Sequence, residues 1–172
     1  MNKESDKVKV NVKAVKSLLA EHEAIRNNIR NLEKNLEFVY STLSSGLPES
    51  LDLRIVREYI LNINAALYNL KEGTYAHEQR DKNILGGLSD RFILNDIASV
   101  HGEIARVLDN AIMQLDLAMS EQWSASELIK GLRSVSHFVK VYHGMVIQHI
   151  QQEDSILNTI LNNETVISEP LI

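Results

Sequence analysis

Two stretches of the chain, HEQRDKNIL at residues 77–85 and HIQQEDSIL at residues 149–157, share one pattern: a histidine, a carboxylate four residues on, two polar residues, then Ile-Leu. On a helix, a step of four is about 40° of rotation and one turn of rise, so imidazole and acid face the same way in each copy. That direction is apolar in both. Around His77 the same-face neighbours are Ile63, Leu70, Ile84 and Leu85, with Asp81 among them. Around His149 they are Leu132, Val135, Phe138, Tyr142, Met145, Val146, Ile156, Leu157 and Ile160, with Glu153. A carboxylate buried alone is costly and is normally kept out of a core-facing stripe. Two of them need compensating positive charge. No Lys or Arg on the apolar stripes supplies it, and the nearest, Arg26 and Arg106, lie towards the edges.

The rest of the chain says what kind of core this is. At 172 residues, 44% hydrophobic, it suits one domain of ordinary globular composition. Seven glycines, two prolines and 5% aromatics disfavour a β-sandwich and favour helices. Punctuation falls in three places: STLSSGLPES (41–50), with Gly46 suited to a helix stop and Pro48 to a new start; GGLSD (86–90), where Ser89 can cap the next helix; and SEQWSASE (120–127), where Ser124 and Glu127 form a capping box. The segments between carry apolar residues at spacings of three, four and seven, the mark of amphipathic helices. Short connections set sequential helices side by side and antiparallel. The expected fold is all-α, an up-down-up-down antiparallel four-helix bundle. It forms a single domain over residues 1–172, with its core at about 8–161 and a tail at 162–172 that is frayed or docked.

Helical stepping then sorts the six histidines. His22 lies among Val15, Leu18, Leu19, Ile25, Ile29, Leu32 and Leu36; His101 among Leu94, Ile97, Ile104, Leu108 and Ile112. With His77 and His149, that places one histidine in the apolar stripe of each helix. His137, flanked by Lys130, Arg133, Ser134 and Lys140, belongs in solvent, and His143 is intermediate. In an antiparallel bundle, residues equidistant from a turn share a height. The midpoint of His22 and His77 falls between residues 49 and 50, that of His77 and His101 at Ser89, and that of His101 and His149 at Ala125. All three fall in the expected turns. At about 1.5 Å per residue, the four imidazoles should share one level to within about a turn.

Imidazoles and carboxylates without thiolates suit iron, manganese or zinc, and two acids able to bridge favour two ions. The absence of cysteine excludes disulfides, thiolate sites and thiol catalysis. Ferritin-like di-iron bundles use Glu-x-x-His, an order found at no histidine here, and HEQRD is not the zinc-protease HExxH. Tyr142 and Met145 would line the site, although core packing accounts for both. A net charge of −5 gives no reason to expect nucleic acid. No apolar run has signal-peptide or membrane-spanning length, so a cytoplasmic, non-membrane protein is expected.

In LLAEHEAIR (His22), HEQRDKNIL (His77, Asp81), VHGEIARVL (His101) and HIQQEDSIL (His149, Glu153), the chain resembles the hemerythrin-like, HHE cation-binding family over about residues 15–160. The resemblance implies a non-haem di-iron centre: His22, His77, His101 and His149 as terminal ligands, Asp81 and Glu153 as bridging acids, and an oxo or hydroxo bridge between the ions. Zinc or manganese would fit the same donors. Open positions would take O2, NO or peroxide. Two departures from the family pattern stand out. Ala105 occupies the place of the carriers' fifth histidine, which points to a more open or water-filled site and away from reversible O2 carriage. Asp81 stands where the family usually has Glu, which makes Glu78 a further candidate ligand; Asp154 is likewise an alternative acid to Glu153. The expected function is binding or sensing of O2, NO or peroxide, or iron handling. The alternatives are a di-iron enzyme for NO or peroxide detoxification or iron–sulfur cluster repair, and a partner-binding bundle with a structural metal. No protein partner can be named from the sequence.

Overall fold

A computed structural model describes residues 12–45, 53–85, 91–120 and 125–165. They form four helices: α1 (Val12–Ser44), α2 (Leu53–Leu85), α3 (Arg91–Ser120) and α4 (Ala125–Thr165). No strand occurs among the described residues. Helix α4 runs past the expected start of the tail and takes residues 162–165 into its last turn. The punctuating residues Gly46, Pro48, Gly86, Gly87, Ser89 and Ser124 lie outside the described residues, as do 1–11 and 166–172. Glu127, the other half of the expected capping box, is in the first turn of α4.

Each helix owes its place to one stripe. On α1 the buried residues are Val15, Leu18, His22, Ile29, Leu32, Leu36, Val39 and Leu43, stepping by three, four or seven. The heptad-like rhythm continues on α4 through Leu128, Leu132, Val135, Val139, Tyr142, Val146, His149, Glu153 and Leu157. Stripes of this period pack helices side by side at shallow angles. Helix α1 packs on α2, α2 on α3, α3 on α4 and α4 back on α1, closing a four-helix bundle. Cross-helix pairs show the directions. From α1 to α2 they run Glu21–Arg80, His22–His77 and Phe38–Tyr59; from α2 to α3, Asn64–Asp116, Lys71–Asp109 and His77–His101. From α1 to α4 they run His22–Asp154, Glu33–His143 and Tyr40–Arg133. In every set one number rises as the other falls, so neighbours are antiparallel. Helices α3 and α4 approach closely at Gly131, where an added Cβ would meet Ala118 Cβ at 2.5 Å.

The apolar interior has two parts. The larger runs from Ile29 to Leu43 on α1, Val56 to Leu70 on α2, Ile104 to Leu115 on α3 and Leu128 to Ile150 on α4. The smaller comprises Val15, Leu18, Leu85 and Leu157. Between them on α1, α2 and α4 sits the polar layer, and on α3 His101 borders the larger part. Burying one Leu or Ile stabilises by about 1.5–3 kcal/mol, and the many such residues in the larger cluster carry the fold.

Candidate metal centre

The buried polar and charged residues are His22, His77, Asp81, His101, His149 and Glu153, each at most 3% exposed. The sequence pattern singles out the same six. Their rings form one connected layer, with centroids 4.9 Å apart for His22 and His77, 5.9 Å for His77 and His101, and 4.3 Å for His101 and His149. His137 is exposed, and His143 is half-buried with Nδ1 2.9 Å from Glu33 Oε1.

Glu153 is the hub. Its Oε1 lies 2.9 Å from His149 Nε2 and 3.7 Å from His101 Nε2. Its Oε2 lies 3.1 Å from His22 Nε2 and 3.3 Å from His77 Nε2. All four Nε2 atoms thus surround one carboxylate, two to each oxygen. The Nε2 atoms of His101 and His149 are themselves 2.7 Å apart, a contact that needs a proton on one of them. Asp81 hydrogen-bonds Glu153.

The shifts in proton affinity follow from this packing. Burial and the adjacent Glu153 carboxylate push Asp81 up to about 9, so at neutral pH it is a neutral acid bonded to the Glu153 anion. Burial favours the neutral form of Glu153 as well, but bonds from His149, His22, His77 and Asp81 prevail and hold it far below the ordinary carboxylate range. Burial lowers His22, yet Glu153 and Asp154 outweigh it and the net shift is upward. Burial and the neighbouring His149 push His101 down to about 4.

The remaining predicted residues are placed differently. Glu78 turns to Lys82, whose Nζ donates to its Oε1 at 2.6 Å. Asp154 does not join the Nε2 atoms around Glu153. Its Oδ1 takes the outer nitrogen of His22, Nδ1, at 2.6 Å, and its Oδ2 takes Arg26 Nη2 at 2.6 Å. The family resemblance offered Asp154 as a rival ligand because it lies five residues after His149; one step beyond Glu153 it is rotated by about 100°, onto the flank facing α1. Tyr142 is fully buried, its hydroxyl 2.8 Å from Thr74 Oγ1, and burial pushes it up to about 12. It lines, with Ile25, Thr74, His77, His101, Ile104, Val146, His149 and Ile150, a cavity of about 10 Å³. That is room for one water or diatomic molecule. Met145 is half-buried against the larger apolar cluster and does not line this cavity. The sequence reading missed Glu21, Arg80 and Thr74. The Arg signal was visible, since an arginine follows His22 by four residues and His77 by three.

The donor set fits a cation. Ligand atoms of His77, His101, His149 and Glu153 all lie within 4.8 Å of one another. Four buried side-chain atoms of the layer also have no hydrogen-bond partner: His77 Nδ1, Asp81 Oδ1, His101 Nδ1 and His149 Nδ1. Buried polar atoms are seldom left this way, and four in one layer fit a place where something else binds. No described helix is long and apolar enough to cross a membrane. Comparison with family models, curated proteins and solved structures gives no match.

Proposed function

We propose that the protein is a hemerythrin-like, non-haem di-iron protein that binds or senses a small ligand such as O2, NO or peroxide. The observation that carries this reading is the division of four imidazoles between the two oxygens of Glu153. A carboxylate with a His pair at each oxygen suits two cations bridged by one acid, with Asp81 beside it as a second. Four imidazoles and no thiolate suit iron over the softer alternatives, and manganese or zinc would use the same atoms. Two iron ions held there would supply reversible redox change and open coordination positions.

The residues of the chain do the rest. The two apolar clusters exclude bulk water above and below the layer. The cavity beside His77, His101 and His149 limits a guest to the size of a diatomic molecule. The Tyr142 and Thr74 hydroxyls bond each other, and the wall they leave to the cavity is apolar, which suits an uncharged guest. The test is metal analysis of the purified chain with optical spectra, oxidised, reduced, and after exposure to O2 or NO. About two irons per chain and a near-UV ferric band that responds to NO are expected. His149→Ala should lose at least one of the two ions and His137→Ala should keep both. A chain that takes up no metal at undiminished stability would sink the reading.

A further inference from the structure

The layer is not symmetric, and the asymmetry lies outside it. On one side, the outer nitrogen of His22 meets Asp154 Oδ1 at 2.6 Å, and Arg26 Nη2 meets Asp154 Oδ2 at 2.6 Å. His77 has only a looser counterpart: its Nδ1 makes no hydrogen bond but lies 3.7 Å from Glu21 Oε2, an ion-pair distance, and that oxygen accepts from Arg80 Nε at 2.8 Å. In both, the acid comes from a neighbouring helix, while the arginine sits one turn after the histidine on its own helix. A carboxylate accepting Nδ1–H fixes the tautomer that turns the Nε2 lone pair inward, and it makes that nitrogen a better donor. The arginine holds the acid in place by charge-assisted hydrogen bonding.

On the other side no carboxylate among the described residues hydrogen-bonds an outer nitrogen. The Nδ1 atoms of His101 and His149 are buried without a hydrogen-bond partner. Their Nε2 atoms, 2.7 Å apart, are engaged with each other and must part before both can face a cation. Ala105, one turn beyond His101, offers no donor. The cavity adjoins this side, lined by both histidines with His77.

We infer that the two halves of the layer hold cations unequally: the His22–His77 half, braced by Asp154–Arg26 and Glu21–Arg80, fills first and tightly, while the His101–His149 half is the exchangeable position that faces the guest cavity. The inference rests on the two-cation reading above. It makes Asp154 and Glu21 positioning residues, acting through the histidines they brace.

The test is a stepwise anaerobic titration of the metal-free full-length chain with Co(II), followed by calorimetry and visible absorption. Two steps at least tenfold apart in affinity are expected. Asp154→Asn should weaken the first step by about 10–100-fold, the usual effect of removing such a bond, Glu21→Gln should weaken it by less, and both should leave the second within a few-fold. Asp154→Glu, which keeps the acceptor, should restore part of the loss. His101→Ala should abolish the second step alone. Helical content and metal-free melting temperature, measured on each variant, separate bracing from damage to the fold; should Asp154→Asn misfold, the exposed-edge variant Glu21→Gln carries the test. Two equal steps, or a first step untouched by both variants, would overturn the inference while leaving two-cation binding intact. A single step at one Co(II) per chain, lost equally in His101→Ala and His149→Ala, would overturn the two-cation reading beneath it. No uptake at all would overturn metal binding.

Discussion

The bond between Tyr142 and Thr74 can be weighed by a double-mutant cycle. Tyr142 has no exposed surface, and its hydroxyl sits 2.8 Å from Thr74 Oγ1 at the wall of the guest cavity. Tyr142→Phe removes one neutral hydrogen bond and leaves a half-buried threonine that can turn to a carbonyl of its own helix, so about 0.5–1.5 kcal/mol is lost. Thr74→Val is worse. It strands a phenol hydroxyl in an apolar wall, at about 1–3 kcal/mol. The double variant leaves neither group unpaired and should cost less than the sum by about 1 kcal/mol. In a domain of this size, 1 kcal/mol corresponds to about 2–4 °C in melting temperature. Equilibrium urea unfolding, with chelator present and with circular dichroism and fluorescence as coincident probes, measures all four corners. Losses additive within about 0.3 kcal/mol would show that the two hydroxyls do not depend on each other, and the assignment of the cavity wall would fail. Metal stoichiometry should be unchanged in Tyr142→Phe, because the phenol lies beside the layer and not within it.

Other outcomes follow from the same geometry. Gly131→Ala should destabilise by about 1–3 kcal/mol through its clash with Ala118, offset in part by helix propensity, whereas Gly144→Ala, with open space at its Cβ, should gain about 0.5–1 kcal/mol; denaturant midpoints compare them. Metal-free stability should fall between pH 7 and 9. Asp81 and His22 both have raised folded-state affinities, so the native state holds protons that the unfolded chain has released, and stability drops as pH rises. The opposite contribution of His101, depressed to about 4, is complete by about pH 7.5, one unit above the unfolded value. Loading with metal should flatten this decline, because the cation takes the place of the protons; a steeper one would contradict it. Co(II) at about a hundred times its Kd should stabilise the wild type by about 2.7 kcal/mol, and Glu153→Gln, which removes the charge shared by all four imidazoles, should show almost none of that gain in a thermal melt.

The fold and the layer were legible because both are set by intervals along the chain. Apolar steps of three and four fixed the four stripes, and the midpoints between histidines fixed their common height without any knowledge of side-chain positions. The braces were not legible. Asp154 and Glu21 adjoin Glu153 and His22 in sequence, so each points about 100° away from the core, towards a neighbouring helix. Whether such a flanking acid meets an imidazole depends on the rotation of two helices against each other, which a single stripe does not encode. For the same reason Glu78 could not be told from Asp81 as the inward acid. The step of four from His77 favoured Asp81, and the structure turns Glu78 to Lys82. The cavity depends on how Ile104, Val146 and Ile150 interdigitate, a matter of packing and not of pattern.

The polar layer also cuts the interior into two unequal compartments, and this bears on how an ion could get in. Among the described residues the smaller compartment holds four buried side chains, Val15, Leu18, Leu85 and Leu157, with Leu19, Ile84, Ile156, Ile160 and Leu161 only partly covered against them. With fewer fully buried apolar contacts, that end of the described bundle should open before the other, and its amides should exchange with solvent well before those around Ile63 or Leu108. The opening uncovers the layer from one side. An ion captured there by side chains from all four helices would tie the ends together behind it, so that the metal closes the door by which it came.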